Sequence, residues 1–444
     1  MVNIEQEIKN IEKLTPGETE FLQATQEVLK SVEILLNQDE KYQKNCIIKR
    51  ITEPDRQIKF RVCWKDDSGN INVNRGYRVQ FNNTLGPYKG GLRFHPSVNM
   101  SIIKFLAFEQ IFKNALTGLP IGGGKGGSDF DPKNKSDNEI MNFCQSFMNE
   151  LYRHIGPERD IPAGDIGVGE REIGYLFGQY KKIRNLYEPG VLTGKDISYG
   201  GSLVRKQATG YGLVYFTEKI LKHNNLDIKS KKICISGAGN VAIYACEKAQ
   251  QLGAHVITMS DSTGWIYDPD GINLEIIKNI KEKNKLRIKE YQKYKKNSKY
   301  FDGKFMWDIP CDIALPCATQ NELTQDCVNN IIKNKVILLS EGANMPVDPK
   351  YVNLLINNNI LFGPGKAANA GGVSVSALEM SQNSIGLKWT FEEVDTKLKN
   401  IMSNIFTDIS NTCEIYNLKN NYLSGANILS FKKVADSMIK QGVV

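Results

Sequence analysis

The sequence predicts an α/β protein with two domains, the second of which carries a parallel β-sheet flanked by helices. The chain of 444 residues is long enough for two or three ordinary domains, each with its own core. From about residue 200, short apolar segments alternate with helical stretches, as in a sheet of buried parallel strands. Before that point, the pattern is one of amphipathic helices and alternating strands.

The composition is that of a globular chain. Hydrophobic residues make up 41% and charged residues 24% of the sequence. No apolar run approaches the roughly 20 residues that span a bilayer, so we expect no membrane partner. The amino terminus lacks the apolar core of a signal peptide and the Arg- and Ser-rich pattern of a transit peptide, which predicts a cytoplasmic protein.

The cysteines, histidines and lysines indicate whether the chain contains disulfides, a metal site or a nucleic-acid site. The nine cysteines are scattered singly, which favours reduced thiols, and the four histidines show no metal-ligand spacing, so we predict no metal. The net charge of +8 is small for this length and is spread out, apart from a lysine-rich segment over residues 278–304. We interpret that segment as a solvated helix face rather than a nucleic-acid site.

In the first domain, hydrophobic spacing predicts the order of the elements. Gln110 and Lys113 are three residues apart on one predicted helix and therefore share a face. The predicted elements are a helix over 18–36, strands over 58–64 and 76–81 with a turn at 66–70, and a helix over 101–117.

Lys125 stands within the glycine-rich run 121–127. A ligand can approach such a lysine closely, and its amine becomes useful for chemistry if it loses its proton near neutral pH. Lys89, in the glycine-containing run 86–94, and Lys113 could depress its pKa if all three cations line one cleft. The alternative interpretation is a surface glycine turn with a solvated lysine.

The second domain begins with a dinucleotide-binding pattern, which predicts a Rossmann-type fold. Residues 236–242 follow a predicted strand and open a helix. Gly237 permits a tight turn, Gly239 lets the backbone approach a pyrophosphate, and the helix N-terminus supplies N–H groups to an anion. The predicted strands of this domain are 232–236, 255–260, 313–315 and 336–339.

The choice between NAD and NADP depends on the end of the second strand. Asp261 favours NAD, because an acidic residue there pairs with ribose hydroxyls and repels a 2′-phosphate. Ser260 and Ser262 flank it with hydroxyls, however, and nearby cations could compensate its charge. These cations are Lys281, Lys283, Lys285 and Arg287.

Several glycine-containing motifs together resemble the hexameric, small-subunit glutamate dehydrogenases, and the resemblance covers nearly the whole chain. It implies an N-terminal α/β substrate and oligomerisation domain over residues 1–200, with a returning C-terminal helix at about 420–444. A Rossmann domain with pivot helices would occupy 201–419, separated from the first domain by a cleft. The matching stretches are 86–94, 108–110, 120–127, 162–169, 205–212 and 369–373.

The resemblance also implies a role for individual residues. Lys125 is similar to the catalytic lysine of that family and Asp165 to its acid/base partner. Lys89 and Ser376 match the pair that contacts the side-chain carboxylate of glutamate, and Gln110, Lys113 and Gly164 match the site of the α-carboxylate. The implied cofactor contacts are Thr209, Gly237, Gly239, Asn240, Val241, Ser260, Asp261 and Asn344.

The activity implied is the reversible oxidative deamination of L-glutamate to 2-oxoglutarate and ammonia by a homohexamer. The run Ser260–Ser262 resembles the NADP-using branch, so we favour NADP(H) over the simple acidic-residue rule. Gln207 and Ser374 depart from the residues usual in the family. The alternatives are an NAD-dependent enzyme, a dehydrogenase for leucine, phenylalanine or valine, and, remotely, a non-catalytic regulatory or RNA-binding scaffold.

Overall fold

The computed structural model of the chain describes residues 3–303 and 306–444. Lys304, the last lysine of the lysine-rich segment, lies outside the described residues, as do Met1 and Val2. The chain divides into two units. Unit 1 comprises Met1–Arg205, Val375–Val394 and Asn427–Val444, and unit 2 comprises Lys206–Ser374 and Asp395–Ala426. Assigning substrate binding to the first and dinucleotide binding to the second stays a prediction.

Within residues 3–205, unit 1 holds seven α-helices, five strands and two short 3-10 helices, Pro189–Val191 and Ile197–Tyr199. Several begin where the sequence supplies a cap: α6, for example, has a capping box in which Ser136 and Glu139 satisfy each other's backbone N–H groups. The elements are α1 Ile4–Leu14, α2 Thr19–Gln38, α3 Lys41–Lys44, α4 Ile47–Thr52, β1 Arg56–Lys65, β2 Ile71–Asn82, β3 Tyr88–Phe94, α5 Met100–Leu116, β4 Gly123–Ser128, α6 Asp137–Leu151, β5 Asp160–Gly164 and α7 Glu170–Arg184.

The five strands of unit 1 form one mixed sheet in the order β1-β2-β4-β3-β5. Strands β1, β2 and β4 are antiparallel neighbours, and β3 runs parallel to both β4 and β5. The glycine-rich run that contains Lys125 is therefore a buried strand inside the sheet and not a surface turn. Glycine is required at Gly123, because a Cβ atom there would lie 2.6 Å from Ile111 Cγ1 on α5.

Both faces of this sheet are covered. On one face, Leu92 and Phe94 of β3 belong to an apolar core with residues of α6 and α7. On the other face, Phe81 of β2 packs against Phe21 of α2 and Phe108 of α5, with ring centroids 6.2 and 5.6 Å apart. Burial of these aromatic side chains fixes the register of the strands, since a slip by one residue would turn each side chain to the opposite face.

Unit 2 begins with α8 and contains the second sheet. Between α10 and β9 the chain forms a π-helix over Asn279–Lys283 and a 3-10 helix over Ile288–Lys293. The elements are α8 Ala208–His223, β6 Lys232–Ile235, α9 Asn240–Gln251, β7 His255–Ser260, β8 Gly264–Tyr267, α10 Leu274–Lys278, β9 Lys299–Asp302, β10 Ile313–Leu315, α11 Gln325–Lys333, β11 Leu338–Ser340, α12 Pro349–Asn357, β12 Leu361–Gly363 and α13 Gly365–Ala368.

The lysine-rich segment does not form the single solvated helix face that we expected. Its described part passes through a π-helix, a 3-10 helix and strand β9. Three of its lysines form ion pairs with side chains of unit 2: Lys278 with Glu247, Lys281 with Asp261, and Lys293 with Glu290. A mixed helical geometry leaves no continuous stripe for lysine side chains, so spacing alone could not predict their partners.

The sheet of unit 2 has the order β12-β11-β10-β6-β7-β8-β9. Strands β12, β11, β10, β6 and β7 are parallel, and β8 and β9 extend the sheet as antiparallel strands. Because β6 lies between β10 and β7, the strand order reverses beside it. In open α/β sheets, ligands bind at the carboxyl end of the strands at this kind of reversal.

Three long helices complete the chain: α14 Gly371–Ile385, α15 Phe391–Ile415 and α16 Tyr422–Lys440. Each contains residues of both units. Within residues 3–303 and 306–444, no helix is long and apolar enough to cross a membrane. The same residues contain no group of three metal-ligating side chains.

Candidate active site and dinucleotide-binding site

Lys125 and Asp165 form an ion pair in unit 1. Lys125 lies on β4 and is only 7% exposed, and its Nζ atom is 3.0 Å from Oδ2 of Asp165, the residue that follows β5. Arg93 on β3 donates from Nε to the same carboxylate oxygen at 2.9 Å. Asp165 does not cap α7, whose N-cap residue is Gly169. Two cations therefore hold the carboxylate in place.

The environment changes the pKa values of this cluster. Burial lowers the pKa of Lys125; the Asp165 carboxylate opposes that effect, and the charge of Arg93 adds to it. Burial and the charge of Lys125 lower the pKa of Lys113 to about 8. Burial would raise the pKa of Asp165, but Lys125 and Arg93 hold it below its usual range. Lys125 is thus a lysine that can lose its proton more easily than an exposed one.

Lys89 occupies β3 in unit 1 and is 1% exposed. Its Nζ atom donates to Thr193 Oγ1 at 2.8 Å. Burial lowers the pKa of Lys89 well below its usual value, and the nearby cations that add to this effect are Arg78 and Arg205. Nε of Arg205 is buried and has no hydrogen-bond acceptor in the described part of the chain. A carboxylate bound at Lys89 would supply negative charge where these cations gather.

The remaining predicted substrate residues also belong to unit 1. Gln110 on α5 donates from Nε2 to Asn114 Oδ1 at 2.6 Å, and Asn114 in turn donates to the Lys89 carbonyl at 3.1 Å. Gly164 ends β5 directly before Asp165. Ser376 is 2% exposed and lies on α14.

Lys125 therefore forms an ion pair with Asp165, and its charge lowers the pKa of Lys113. Two hydrogen bonds through Asn114 link the Gln110 side chain to the Lys89 carbonyl. Within residues 3–303 and 306–444, no hydrogen bond or ion pair joins the Ser376 side chain to the other predicted substrate residues. Sequence reasoning missed the side chains that hold this cluster in place. Arg93 and Arg205 stand within the quoted motifs and could have been noticed, whereas Thr193 lies outside every motif and Asn114 looked like an ordinary helix residue.

The predicted nucleotide turn lies between β6 and α9 in unit 2. Gly237 has φ +86°, a conformation that favours glycine, and its N–H donates to Ser260 Oγ at 2.7 Å. Gly239 is the N-cap residue of α9 and has open space where a side chain would stand. Asn240 and Val241 begin α9. The free N–H groups of this helix end and the space above Gly239 fit a pyrophosphate.

Asp261 is already hydrogen-bonded within unit 2. Its Oδ2 atom accepts from Lys281 Nζ at 3.1 Å and from the Ile288 N–H at 2.8 Å, and Oδ1 accepts from the Thr263 hydroxyl at 2.6 Å. Although burial would raise the pKa of Asp261, bonds from Thr263, Ile288 and Lys281 lower it to about 2. Both carboxylate oxygens thus have protein donors, which the acidic-residue rule did not anticipate.

Next to Asp261, the Ser262 hydroxyl accepts a hydrogen bond from Nη1 of exposed Arg287 at 2.7 Å. A hydroxyl beside a guanidinium suits a phosphate. Two predicted contacts lie elsewhere in unit 2. Thr209 is in the first turn of α8, and Asn344 Oδ1 accepts from Asn369 Nδ2 at 2.9 Å.

Two family models match the chain. Residues 54–182 match "Glu/Leu/Phe/Val dehydrogenase, dimerisation domain", and residues 200–442 match "Glutamate/Leucine/Phenylalanine/Valine dehydrogenase". The chain is 54% identical to the NADP-specific glutamate dehydrogenase of Helicobacter pylori strain 26695, over 99% of this chain and 100% of that protein. It is 52% identical to an NAD-specific glutamate dehydrogenase of Porphyromonas gingivalis, over 98% of each.

The solved structures include a similar protein. The crystal structure of Plasmodium falciparum glutamate dehydrogenase superposes with a TM-score of 0.97 at 54% identity, and the match covers 99% of this chain and 96% of that one.

Proposed function

Because the chain belongs to the glutamate, leucine, phenylalanine and valine dehydrogenase family, we propose that it is a glutamate dehydrogenase. It interconverts L-glutamate with 2-oxoglutarate and ammonia, and its cofactor is NADP(H). The observation that carries the proposal is the group of buried cations around one ionised pair in unit 1: Lys89 with Arg205, and Lys113 with Lys125 and Asp165.

The arrangement of cations accounts for a dicarboxylate substrate. Lys89 binds the side-chain carboxylate and Lys113 binds the α-carboxylate, so the pocket requires two negative charges. An amino acid with an apolar side chain would leave the buried Lys89 ammonium unpaired, which is unfavourable by about 3–5 kcal/mol in buried pairs of this kind. The same argument disfavours leucine, phenylalanine and valine as substrates.

Lys125 and Asp165 carry out the proton transfers. In the deaminating direction, neutral Lys125 assists the attack of water on the substrate carbon, and Asp165 transfers protons to and from the departing nitrogen. A nicotinamide cofactor, held at the turn that contains Gly237 and Gly239, would supply hydride transfer from and to Cα of the substrate. Arg93 orients the Asp165 carboxylate by a hydrogen bond and lowers its pKa, so that Asp165 readily releases each proton that it receives.

The side chains near Asp261 support NADP(H). Because the carboxylate of Asp261 is occupied by Lys281, Ile288 and Thr263, its charge is compensated and its oxygens are not free for ribose hydroxyls. Ser262 and Arg287 supply a hydroxyl and a cation for a 2′-phosphate. The NAD-specific relative at 52% identity means that overall similarity does not decide the cofactor, so these local contacts carry the assignment.

A spectrophotometric assay tests the proposal directly. The purified protein is mixed with ammonia, 2-oxoglutarate and either NADPH or NADH at matched concentrations, and the loss of absorbance by the reduced cofactor is followed. We expect turnover with a clear preference for NADPH. Equal or faster rates with NADH would contradict the assignment of NADP(H) as the cofactor. Turnover of only branched or aromatic 2-oxo acids would contradict the assignment of glutamate as the substrate.

We further propose a homohexamer in the cytoplasm. The match of residues 54–182 to a dimerisation domain supports self-association. Hexamer and compartment themselves rest on the resemblance of the sequence to small-subunit glutamate dehydrogenases. A non-catalytic scaffold is disfavoured because Lys89, Lys113, Lys125 and Asp165 are all present.

A further inference from the structure

Arg78 lies on the face of the unit 1 sheet opposite Lys125. The register pairs Arg78 of β2 with Gly126 of β4, and Val79 with Lys125. Because side chains alternate along a strand and paired residues share a face, Arg78 and Lys125 point to opposite sides. Lys89 lies three residues before Leu92, which pairs with Gly126, so Lys89 points to the same side as Lys125.

The Arg78 side chain is fully buried and extends from β2 over one face of β4 to β3 and β5. It forms a two-point ion pair with Asp160 on β5, through Nε at 2.9 Å and through Nη2. Its Nη1 atom donates to the carbonyl of Gly90 on β3 at 3.1 Å. One side chain of β2 thus fixes both β3 and β5, and the carbonyl that it holds belongs to the residue after Lys89.

The glycines beside Lys125 make room for this arginine. A Cβ atom on Gly124 would lie 3.5 Å from Nη2 of Arg78, and one on Gly126 would lie 3.0 Å from its Cδ atom. The sequence suggests that these glycines make space for a ligand. The structure gives a second reason for glycine at position 126, because a Cβ atom there would crowd Arg78, whereas one at Gly124 would lie at ordinary contact distance.

We propose that Arg78 is a positioning residue for the reaction: from the opposite face of the sheet, it clamps the backbone that carries Lys89 and places a permanent positive charge beneath Lys89 and Lys125. This inference rests on the proposed function. Nothing but backbone separates the guanidinium from the active-site face of β4, so its field reaches the other side with little screening.

The charged groups around the two lysines define what Arg78 contributes. Asp165 and Arg93 act on the pKa of Lys125 from its own face, and Arg78 acts on it from the opposite face. Lys125 in turn lowers the pKa of Lys113. For Lys89, Arg205 lowers the pKa, whereas the Glu379 and Asp160 carboxylates raise it. Removing the positive charge of Arg78 therefore raises both lysine pKa values, and removing the negative charge of Asp160 lowers that of Lys89.

The test compares the double variant Arg78→Met with Asp160→Asn, the single variant Asp160→Asn, and wild type. The double variant removes the pair without leaving one buried charge alone. Two profiles are measured against pH: kcat/KM for 2-oxoglutarate, and the acetylation of Lys89 and Lys125 followed by mass spectrometry. We expect the Lys125 midpoint and the rising limb of kcat/KM to move to higher pH in the double variant, by roughly half a unit or more. In Asp160→Asn, the Lys89 midpoint moves to lower pH.

The matched control is Arg75→Met, because Arg75 lies on the same strand and pairs with Asp129 at 3.2 Å but is 66% exposed. Its profiles should equal those of wild type. A folded double variant whose Lys125 midpoint and pH profile do not move would overturn the inference. If the wild-type protein does not turn over 2-oxoglutarate, the proposed function is refuted instead. The midpoints of lysine acetylation would still test the effect of Arg78.

A second variant covers the case in which the double variant does not fold. Arg78→Lys keeps the charge but loses the two-point contact with Asp160, so the backbone clamp weakens while the field remains. We expect KM for 2-oxoglutarate to rise several-fold with unchanged labelling midpoints. An unchanged KM in a folded Arg78→Lys protein would show that the clamp does not position Lys89.

Discussion

At the scale of single residues, Lys125 forms an ion pair with Asp165 in unit 1, and Arg93 contacts the same carboxylate. Lys125 and Arg93 lie on the neighbouring strands β4 and β3, and Asp165 directly follows β5, so the sheet sets the separation of the three side chains. The charges oppose one another: Asp165 favours a protonated Lys125, whereas burial and Arg93 favour a neutral one. The net effect is a lowered pKa, so Lys125 loses its proton more readily than an exposed lysine does.

Replacing Lys125 with alanine should lower kcat by a factor of about 10³ or more, since the group that assists water is lost. Binding of NADPH, measured by fluorescence titration, should change little. The control is Lys133→Ala, an exposed lysine in the loop after β4. Retention of most of the activity by the Lys125 variant would remove this residue from the mechanism.

Lys113 predicts a pH dependence of substrate binding. Its pKa is lowered to about 8 in the folded protein, so its ammonium is present below that pH and is lost as the pH rises through it. The Kd of 2-oxoglutarate, measured by calorimetry, should therefore increase above about pH 8. The variant Lys113→Gln should bind weakly at all pH values and lose this dependence. A wild-type Kd that stays constant from about pH 7 to about pH 9.5 would contradict the assignment.

Arg287 predicts cofactor selectivity. In the variant Arg287→Gln, KM for NADPH should rise about tenfold while KM for NADH stays nearly the same, because only the 2′-phosphate loses a charged partner. The neighbouring exposed residue Lys289 supplies the control variant Lys289→Gln. If the two variants behave alike, the 2′-phosphate binds elsewhere.

At the scale of secondary-structure elements, glycines act in opposite ways in β4 and α7. A Cβ atom on Gly126 would lie 2.8 Å from both Leu92 Cδ2 and the Tyr77 carbonyl oxygen. Gly178, in the middle of α7, has nothing within 4 Å of its added Cβ atom. The first glycine is imposed by packing, and the second only weakens its helix.

Alanine substitutions at these two glycines should therefore change the free energy of unfolding in opposite directions. Gly126→Ala should lower the free energy of unfolding by at least about 2 kcal/mol, because backbone and core must shift. Gly178→Ala should raise it by about 0.5–1 kcal/mol, as alanine does within an exposed helix. Urea denaturation followed by circular dichroism measures both. Equal effects would mean that the close contacts of β4 relax without cost.

Elements with clear periodicity were predictable from the sequence. The apolar spacing placed a helix at 18–36 where α2 runs from Thr19 to Gln38, and the strand predicted over 313–315 matches β10. Strand β4 was missed because a glycine-rich run shows no side-chain alternation, and only pairing with β2 and β3 makes it a strand. Partners distant in sequence, such as Lys89 and Thr193, leave no local signal at all.

At the scale of the whole molecule, we expect self-association. Light scattering coupled to size exclusion should give a mass six times that of one chain, since the family resemblance implies a hexamer built through the first domain. The expected mass should persist in moderate salt. A monomer at micromolar concentration would refute the hexamer without affecting the assignment of the active site.

Unit 1 is assembled from three separate pieces of the chain. Tyr42 donates from its hydroxyl to Asp436 at 2.9 Å, and Phe112 stacks on Phe431 with ring centroids 6.5 Å apart. During synthesis on the ribosome, the apolar surfaces around Tyr42 and Phe112 can therefore be covered only after residues 431–436 have been made. We therefore expect the nascent chain to expose these apolar surfaces until that point, and exposed surfaces of this kind are bound by chaperones during synthesis.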